Sequence, residues 1–230
     1  MDNSPLLVTV GATGAVASAL IYWMLWCWRD GTGPLRSAVK TAAVAGLALT
    51  ALAAGAPLTV TVGLALGAAG DLALSRPGQR AFLVGMAAFA LGHLAYALWF
   101  LGAVMPPDAL RLLAMAGLVA LTLSTRQWLL PHAGTLAPAV AAYVGVICLM
   151  GLAALAAANI VALSGAALFI LSDLLLAIAL FRPVAPDARR AFSVALWPAY
   201  WGGQALILAG ALGAGALGGV PAVWPFHPAS

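Results

Sequence analysis

Apolar stretches of about 20 residues follow one another along this chain, and the intervals between them are too short to fold on their own. A helix of that length just crosses the hydrocarbon core of a bilayer. The stretches fall at about 6–28, 37–55, 57–75, 81–104, 109–127, 135–157, 159–181 and 191–216. Turn-forming and charged residues mark the breaks: Arg29-Asp30-Gly31, Gly55-Ala56-Pro57, Arg76-Pro77-Gly78, Pro106-Pro107-Asp108, Pro131-His132-Ala133-Gly134 and Arg182-Pro183. The break near Ala158 has almost nothing polar to mark it. Only 7% of the residues are charged, against about 25% in an average soluble domain, so water cannot be the main solvent. The expected fold is all-α: one transmembrane domain over residues 1–230, a polytopic bundle of about eight helices. Met1-Asp2-Asn3-Ser4-Pro5 lacks the positive start of a signal peptide, and Leu6 to Trp28 is too long for its apolar region, so the first stretch is expected to be an uncleaved span.

The net charge is +4, but its distribution argues against nucleic acid as a partner. The basic residues stand singly or in pairs between helices. The connections after the first, third, fifth and seventh helices hold Arg29, Arg36, Lys40, Arg76, Arg80, Arg126, Arg182, Arg189 and Arg190, while the other side holds only Arg111, beside Asp108. By the positive-inside rule the basic connections face the cytoplasm and both termini face outward, into the periplasm if the membrane is a bacterial inner one. Trp23, Trp26 and Trp28 fit an interfacial belt at the inner end of the first helix. Cys27 and Cys148 lie in apolar surroundings and suggest packing rather than a disulfide framework.

A 4+4 internal repeat is also indicated. Gly70-Asp71-Leu72-Ala73-Leu74 on the third helix is similar to Ser172-Asp173-Leu174-Leu175-Leu176 on the seventh, and Arg80-Ala81-Phe82 opens the fourth helix as Arg190-Ala191-Phe192 opens the eighth. Two four-helix halves in parallel orientation would bring Asp71 and Asp173 to face each other.

These two aspartates are the candidate catalytic groups. The chain has no glutamate, so its side-chain carboxylates are Asp2, Asp30, Asp71, Asp108, Asp173 and Asp187. A charged aspartate at a helix centre costs about 2.5–3.5 kcal/mol on insertion scales, so intramembrane carboxylates call for a function or a partner. Asp71 lies roughly 7 Å inside Arg76 and Asp173 roughly 13 Å inside Arg182, at 1.5 Å per residue. Two carboxylates in one low-dielectric cavity supply an acid and a base together, since mutual repulsion disfavours ionising both. The structural alternative is interhelical bonding, with Arg76 or Arg80 as the ion-pair partner.

The candidate supporting residues are His93 with Tyr96 on the fourth helix, Tyr143 on the sixth, Ser172 on the seventh, and Tyr200 with Gln204 on the eighth. His93 is suited to orienting a carboxylate, positioning water or binding a lipid head group; its structural alternative is a neutral ring bonded to a backbone carbonyl. Tyr200 and Gln204 share a helix face, either for hydrogen bonding in the cavity or as polar packing. Asn159 and Ser164 are weaker candidates, and Gly63-xxx-Gly67 reads as close helix packing. There is no GxSxG, Walker or Rossmann pattern, and HExxH is excluded with glutamate. His132 and His227 fall on opposite predicted sides, which excludes a multi-histidine zinc site. No metal and no cofactor is expected.

Gly70-Asp71, then Phe89-xxx-His93-xx-Tyr96, then Gly165-Ala166-xx-Phe169-xx-Ser172-Asp173-xxx-Ala177, then Tyr200-xxx-Gln204, with Tyr143 and Met150 between, resembles the YhhN or lysoplasmalogenase family over roughly residues 40–210. The resemblance implies eight membrane helices and hydrolysis of the vinyl-ether bond of a lysoplasmalogen, a lysophospholipid, to a fatty aldehyde and a glycerophospho-base. Asp71 and Asp173 would be the catalytic pair. Vinyl-ether hydrolysis needs one acid to protonate the β-carbon and one carboxylate to steady the cation and activate water, as glycoside hydrolysis does. Asp173, the deeper, is expected to be the acid, and Asp71, nearer Arg76, the base. Arg76, Arg80 or Arg182 would hold the substrate phosphate, and the tail would lie in a groove filled by membrane lipids.

Other readings use the same residues. A proton-coupled carrier of a small or lipid-like substrate would also need intramembrane carboxylates, together with broken helices beside them, whereas the only proline that could kink such a helix is Pro198. An intramembrane aspartyl protease needs two aspartates, but Ala68-Ala69-Gly70-Asp71 falls short of GxGD. A non-catalytic scaffold would tolerate Asn at both positions. Oligomeric state is left open.

Overall fold

The computed structural model describes residues 4–29 and 31–217, with side chains placed as far as residue 213. Asp2, Asp30, His227 and the tail beyond Leu217 lie outside the described residues. Eight α-helices account for nearly all of it: α1 (Ser4–Trp26), α2 (Pro34–Ala53), α3 (Leu58–Leu74), α4 (Gln79–Phe100), α5 (Ala109–Trp128), α6 (Ala137–Ala156), α7 (Ile160–Phe181) and α8 (Pro186–Leu217). They match the eight expected stretches to within about five residues, since apolar segments must satisfy their backbone groups internally and helix is how a single segment does so. Six of them (α1, α2, α4, α5, α6 and α7) are long and apolar enough to cross a membrane. Leu6, Leu49, Leu58, Leu98, Leu113 and Leu123 are among the many large apolar side chains left on the surface. Such a surface is far more apolar than a soluble monomer exposes, and it identifies an integral membrane protein.

The interior combines many small residues and a few polar groups with larger side chains such as Leu64, Phe100 and Met150. The closest helix pairs are α7–α8, α3–α4 and α1–α2. Glycine makes that closeness possible. A Cβ on Gly165 of α7 would stand 2.5 Å from the Gly203 carbonyl oxygen and 2.8 Å from the Ile207 nitrogen of α8. Neither obstacle is a side chain that can swing away. Gly165→Ala is therefore expected to destabilise the fold by about 1–3 kcal/mol, visible as a lower Tm in detergent. Gly117→Ala, with open space around its position, serves as the neutral comparison.

Tryptophan fastens the first two helices to the last. Trp197 Nε1 donates to the Ala19 carbonyl and Trp201 Nε1 to that of Ala43, each at 3.0 Å. Trp23 Nε1 donates to the Val194 carbonyl, also at 3.0 Å. Pro198 explains that last acceptor. Proline has no N–H, so the carbonyl four residues earlier, that of Val194, lacks its helical partner, and α8 continues through Pro198 with the indole in its place.

At the end away from the basic connections, the α4–α5 and α6–α7 turns clip together. Met105 N donates to the Ala156 carbonyl and Ala158 N to that of Ala103. The Ala158 break, unmarked by any polar run, is made by Asn159. Its Oδ1 caps α7 by accepting from Ala162 N, and its Nδ2 donates to the Gly210 carbonyl of α8.

Candidate active site

Asp71 and Asp173 both line one cavity, together with Lys40, Ser172, Phe89 and Tyr200. Each aspartate has its own set of partners. Asp71, on α3, is 1% exposed and receives two donors. Lys40 Nζ of α2 lies 2.7 Å from Oδ1, and Tyr200 Oη of α8 donates to Oδ2 at 2.8 Å. A carboxylate bonded by a cation and a phenol is satisfied as the anion. Two of its roughly four lone-pair positions stay open for another donor.

Asp173 sits eight residues before the end of α7, roughly 12 Å along the helix from its basic end. Tyr143 Oη of α6 donates to Oδ1 at 3.3 Å. His93 Nε2 of α4 lies 3.2 Å from Oδ2, close enough for an ion pair but without the alignment of a hydrogen bond; neither atom has another partner. The other ring nitrogen settles the tautomer. His93 Nδ1 is 2.6 Å from the Phe89 carbonyl oxygen, which can only accept, so Nδ1 carries hydrogen. In the neutral ring Nε2 is then bare. A bare nitrogen facing a bare carboxylate oxygen in a buried site is repulsive, and one proton between them removes the conflict. Thus the two aspartates differ in their partners: Asp71 is paired with Lys40 and bonded by Tyr200, whereas Asp173 faces His93 and Tyr143.

The neighbouring packing explains the quoted motif. A Cβ on Gly70 would stand 2.7 Å from the Phe89 ring, so glycine there lets α4 close on α3. Phe169 of α7 lies against His93 (centroids 4.5 Å apart) and Tyr200 (5.3 Å). Phe169 thus packs tilted against His93 and edge-on against Tyr200, one partner from each aspartate's set.

The expected site residues divide into three groups. His93, Tyr143 and Tyr200 bond or face the aspartates. Ser172 lines the cavity, while its hydroxyl bonds the Phe169 carbonyl. Tyr96 and Gln204 bond each other instead, Tyr96 Oη donating to Gln204 Oε1 at 3.1 Å, and line neither cavity that contains an aspartate. Arg76 and Arg80 are exposed and also line neither. The expectation that an arginine close in sequence accompanies Asp71 is corrected: the partner is Lys40, from another helix. By sequence Lys40 reads as one more orienting charge, yet it falls inside the stretch 37–55. A cation within a span, facing a carboxylate within a span, is the signal that could have found it.

Beyond Asp173 lies a second cavity. It holds about 840 Å³ including its open mouth, and runs between α4, α5, α6 and α7. Its lining is apolar, with Met86, Leu121, Val144, Ile147, Leu174 and Leu180 among the side chains. Asp173, Tyr143, Thr122 and Thr125 are its few polar residues. Asp173, Leu74, Phe82, Phe89, Leu176 and Leu180 line both cavities. Of these six, Asp173 alone is polar, and it stands where the chamber holding Lys40 and Asp71 meets the apolar groove.

No curated protein and no solved structure matches the chain. Residues 35–211, from the start of α2 to the last described core residue of α8, match the YhhN family. That segment contains every residue bonded to either aspartate, and the chain belongs to the YhhN family.

Proposed function

We propose that the protein is a lipid hydrolase that cleaves the vinyl-ether bond of a lysoplasmalogen, releasing a fatty aldehyde and a glycerophospho-base. One observation carries this reading: Asp173 lies at the junction between the chamber that holds Lys40 and Asp71 and the apolar groove. An amphiphile bound across that junction places its polar–apolar boundary at the carboxyl group. In a lysoplasmalogen the vinyl-ether bond is that boundary.

Asp173 is the acid. Its proton, shared with His93, goes to the β-carbon of the vinyl ether, leaving an oxocarbenium ion at the α-carbon. Asp71, held as an anion by Lys40 and Tyr200, steadies that cation across the chamber and takes a proton from the attacking water. The hemiacetal collapses to aldehyde and alcohol, and the proton lost from water restores the acid. Tyr143 and His93 position Asp173; Tyr96 and Gln204 support the helices.

In this reading all eight helices cross the bilayer, α3 included despite its 17 residues. Both termini face outward and the basic connections face the cytoplasm. The aspartates occupy the third helix of each four-helix half, in keeping with a 4+4 repeat. Helices α3 and α7 run unbroken past them, which disfavours a carrier.

The test is aldehyde release from a lysoplasmalogen by detergent-purified protein. Release by wild type supports the reading; its absence from folded protein, with substrate flux in sealed vesicles, replaces it with transport. His93→Gln is expected to lower kcat by about 10²-fold with KM nearly unchanged, since it disturbs proton delivery rather than lipid binding. An equal rise in KM alone would assign His93 to binding.

A further inference from the structure

The apolar groove reaches further than chemistry at Asp173 requires. Its walls are α5 on one side and α7 on the other, with α6 and α4 behind. Of these, α5 is the least attached. Only Thr125 among its 20 residues is buried, and the helix packs against α6 and the turn that follows its own end, with no comparable packing on α4 or α7. The groove is thus bounded on its open flank by side chains such as Leu121 and Leu180, themselves 39% and 51% exposed on the lipid-facing surface.

The deep end is crowded. A Cβ on Gly151 of α6 would stand 2.5 Å from Leu118 and 2.8 Å from Ile170, so these two groove-lining side chains crowd over the glycine. Ile170 lies three residues from Asp173, roughly 4.5 Å along α7. A chain that starts at Asp173 therefore meets bulky side chains toward the membrane centre, whereas the flank between α5 and α7 is open.

We propose that the groove is a binding site for one unbranched hydrocarbon chain, and that this chain enters and leaves sideways, between α5 and α7, directly from the bilayer. The choice of a lipid chain as occupant rests on the hydrolase reading above. Its surroundings fit that occupant: apolar walls, a single carboxyl group at the inner end, and a mouth on the face that the membrane covers. Because the open flank leaves the far end of the chain in lipid, the site grips the first part of the chain and does not measure its length.

The two products then leave by different routes. The glycerophospho-base retreats through the chamber lined by Lys40, and the aldehyde slides into the bilayer. Whatever reaction consumes the aldehyde must therefore meet it in the membrane.

A saturated alkyl-ether lysophospholipid carrying a diazirine in the first part of its chain tests this in nanodiscs. It has no vinyl ether, so its binding reads the groove even if the protein proves not to hydrolyse such lipids. Photolabelling of wild type is expected on α5 and α7 peptides that line the groove, and to be displaced by unlabelled lipid. Thr122→Trp, which fills the groove, is expected to weaken binding at least about tenfold, while Leu123→Trp, on the exposed face of α5, leaves it unchanged. Labels spread over the outer faces of α1 and α2, or equal affinity in the folded Thr122→Trp and Leu123→Trp proteins, would overturn the proposal.

Discussion

Asp173→Asn is expected to release aldehyde about 10²–10⁴ times more slowly than wild type, the usual contribution of a positioned general acid. Asparagine keeps the volume and the Tyr143 contact but has no acidic proton to give. Asp71→Asn is expected to fall in the same range by a different route, because the amide neither opposes the charge on an oxocarbenium ion nor takes a proton from water. The pair of variants separates the roles. If the two groups act as a unit, the double variant should be little worse than the worse single one. Full turnover in both single variants would remove the aspartates from the mechanism.

Lys40→Met carries the largest expected effect on stability. The Lys40–Asp71 pair is 2.7 Å long and its carboxylate is 1% exposed. Removing one partner of a buried pair strands the other charge, at a cost of about 3–5 kcal/mol. The reverse change is milder. Asp71→Asn leaves a lysine whose side chain is 22% exposed and whose long stem can carry the ammonium toward the surface. The double variant Lys40→Met/Asp71→Asn should recover most of the loss, since no unpaired charge remains. Unfolding in mixed micelles, followed by circular dichroism, reads all three. A Lys40→Met protein as stable as wild type would mean that the pair is not what keeps Asp71 charged.

Lys40 also shows where sequence reasoning stops. The helices are legible because an apolar stretch in a bilayer has one way to satisfy its backbone. The two aspartates stand out because nothing else inside the spans is acidic. Their partners are harder to see, since partnership is settled by rotation and neighbour. His93 and Tyr96, three residues apart, differ by about 60° around α4. That is enough to send one toward Asp173 on α7 and the other toward Gln204 on α8. Arg76 is attractive as the companion of Asp71 because it is close along the chain, but it lies beyond the end of α3 and exposed, whereas Lys40 arrives from α2. Pro198 can be foreseen as a kink, but not as the source of a free carbonyl for Trp23.

Both cavities that contain an aspartate belong to the half of the bundle nearer the basic connections. Toward the other end the interior is filled by Phe100, Met150, Ile207 and the Tyr96–Gln204 pair, all buried. A vestibule of that kind communicates with one aqueous compartment and stops short of the second. In the proposed reaction, protons and water used at Asp71 and Asp173 would be borrowed from and returned to the same side. A hydrolase cycle of the proposed kind would then move no net charge across the bilayer, so it would neither draw on the membrane potential nor short-circuit it.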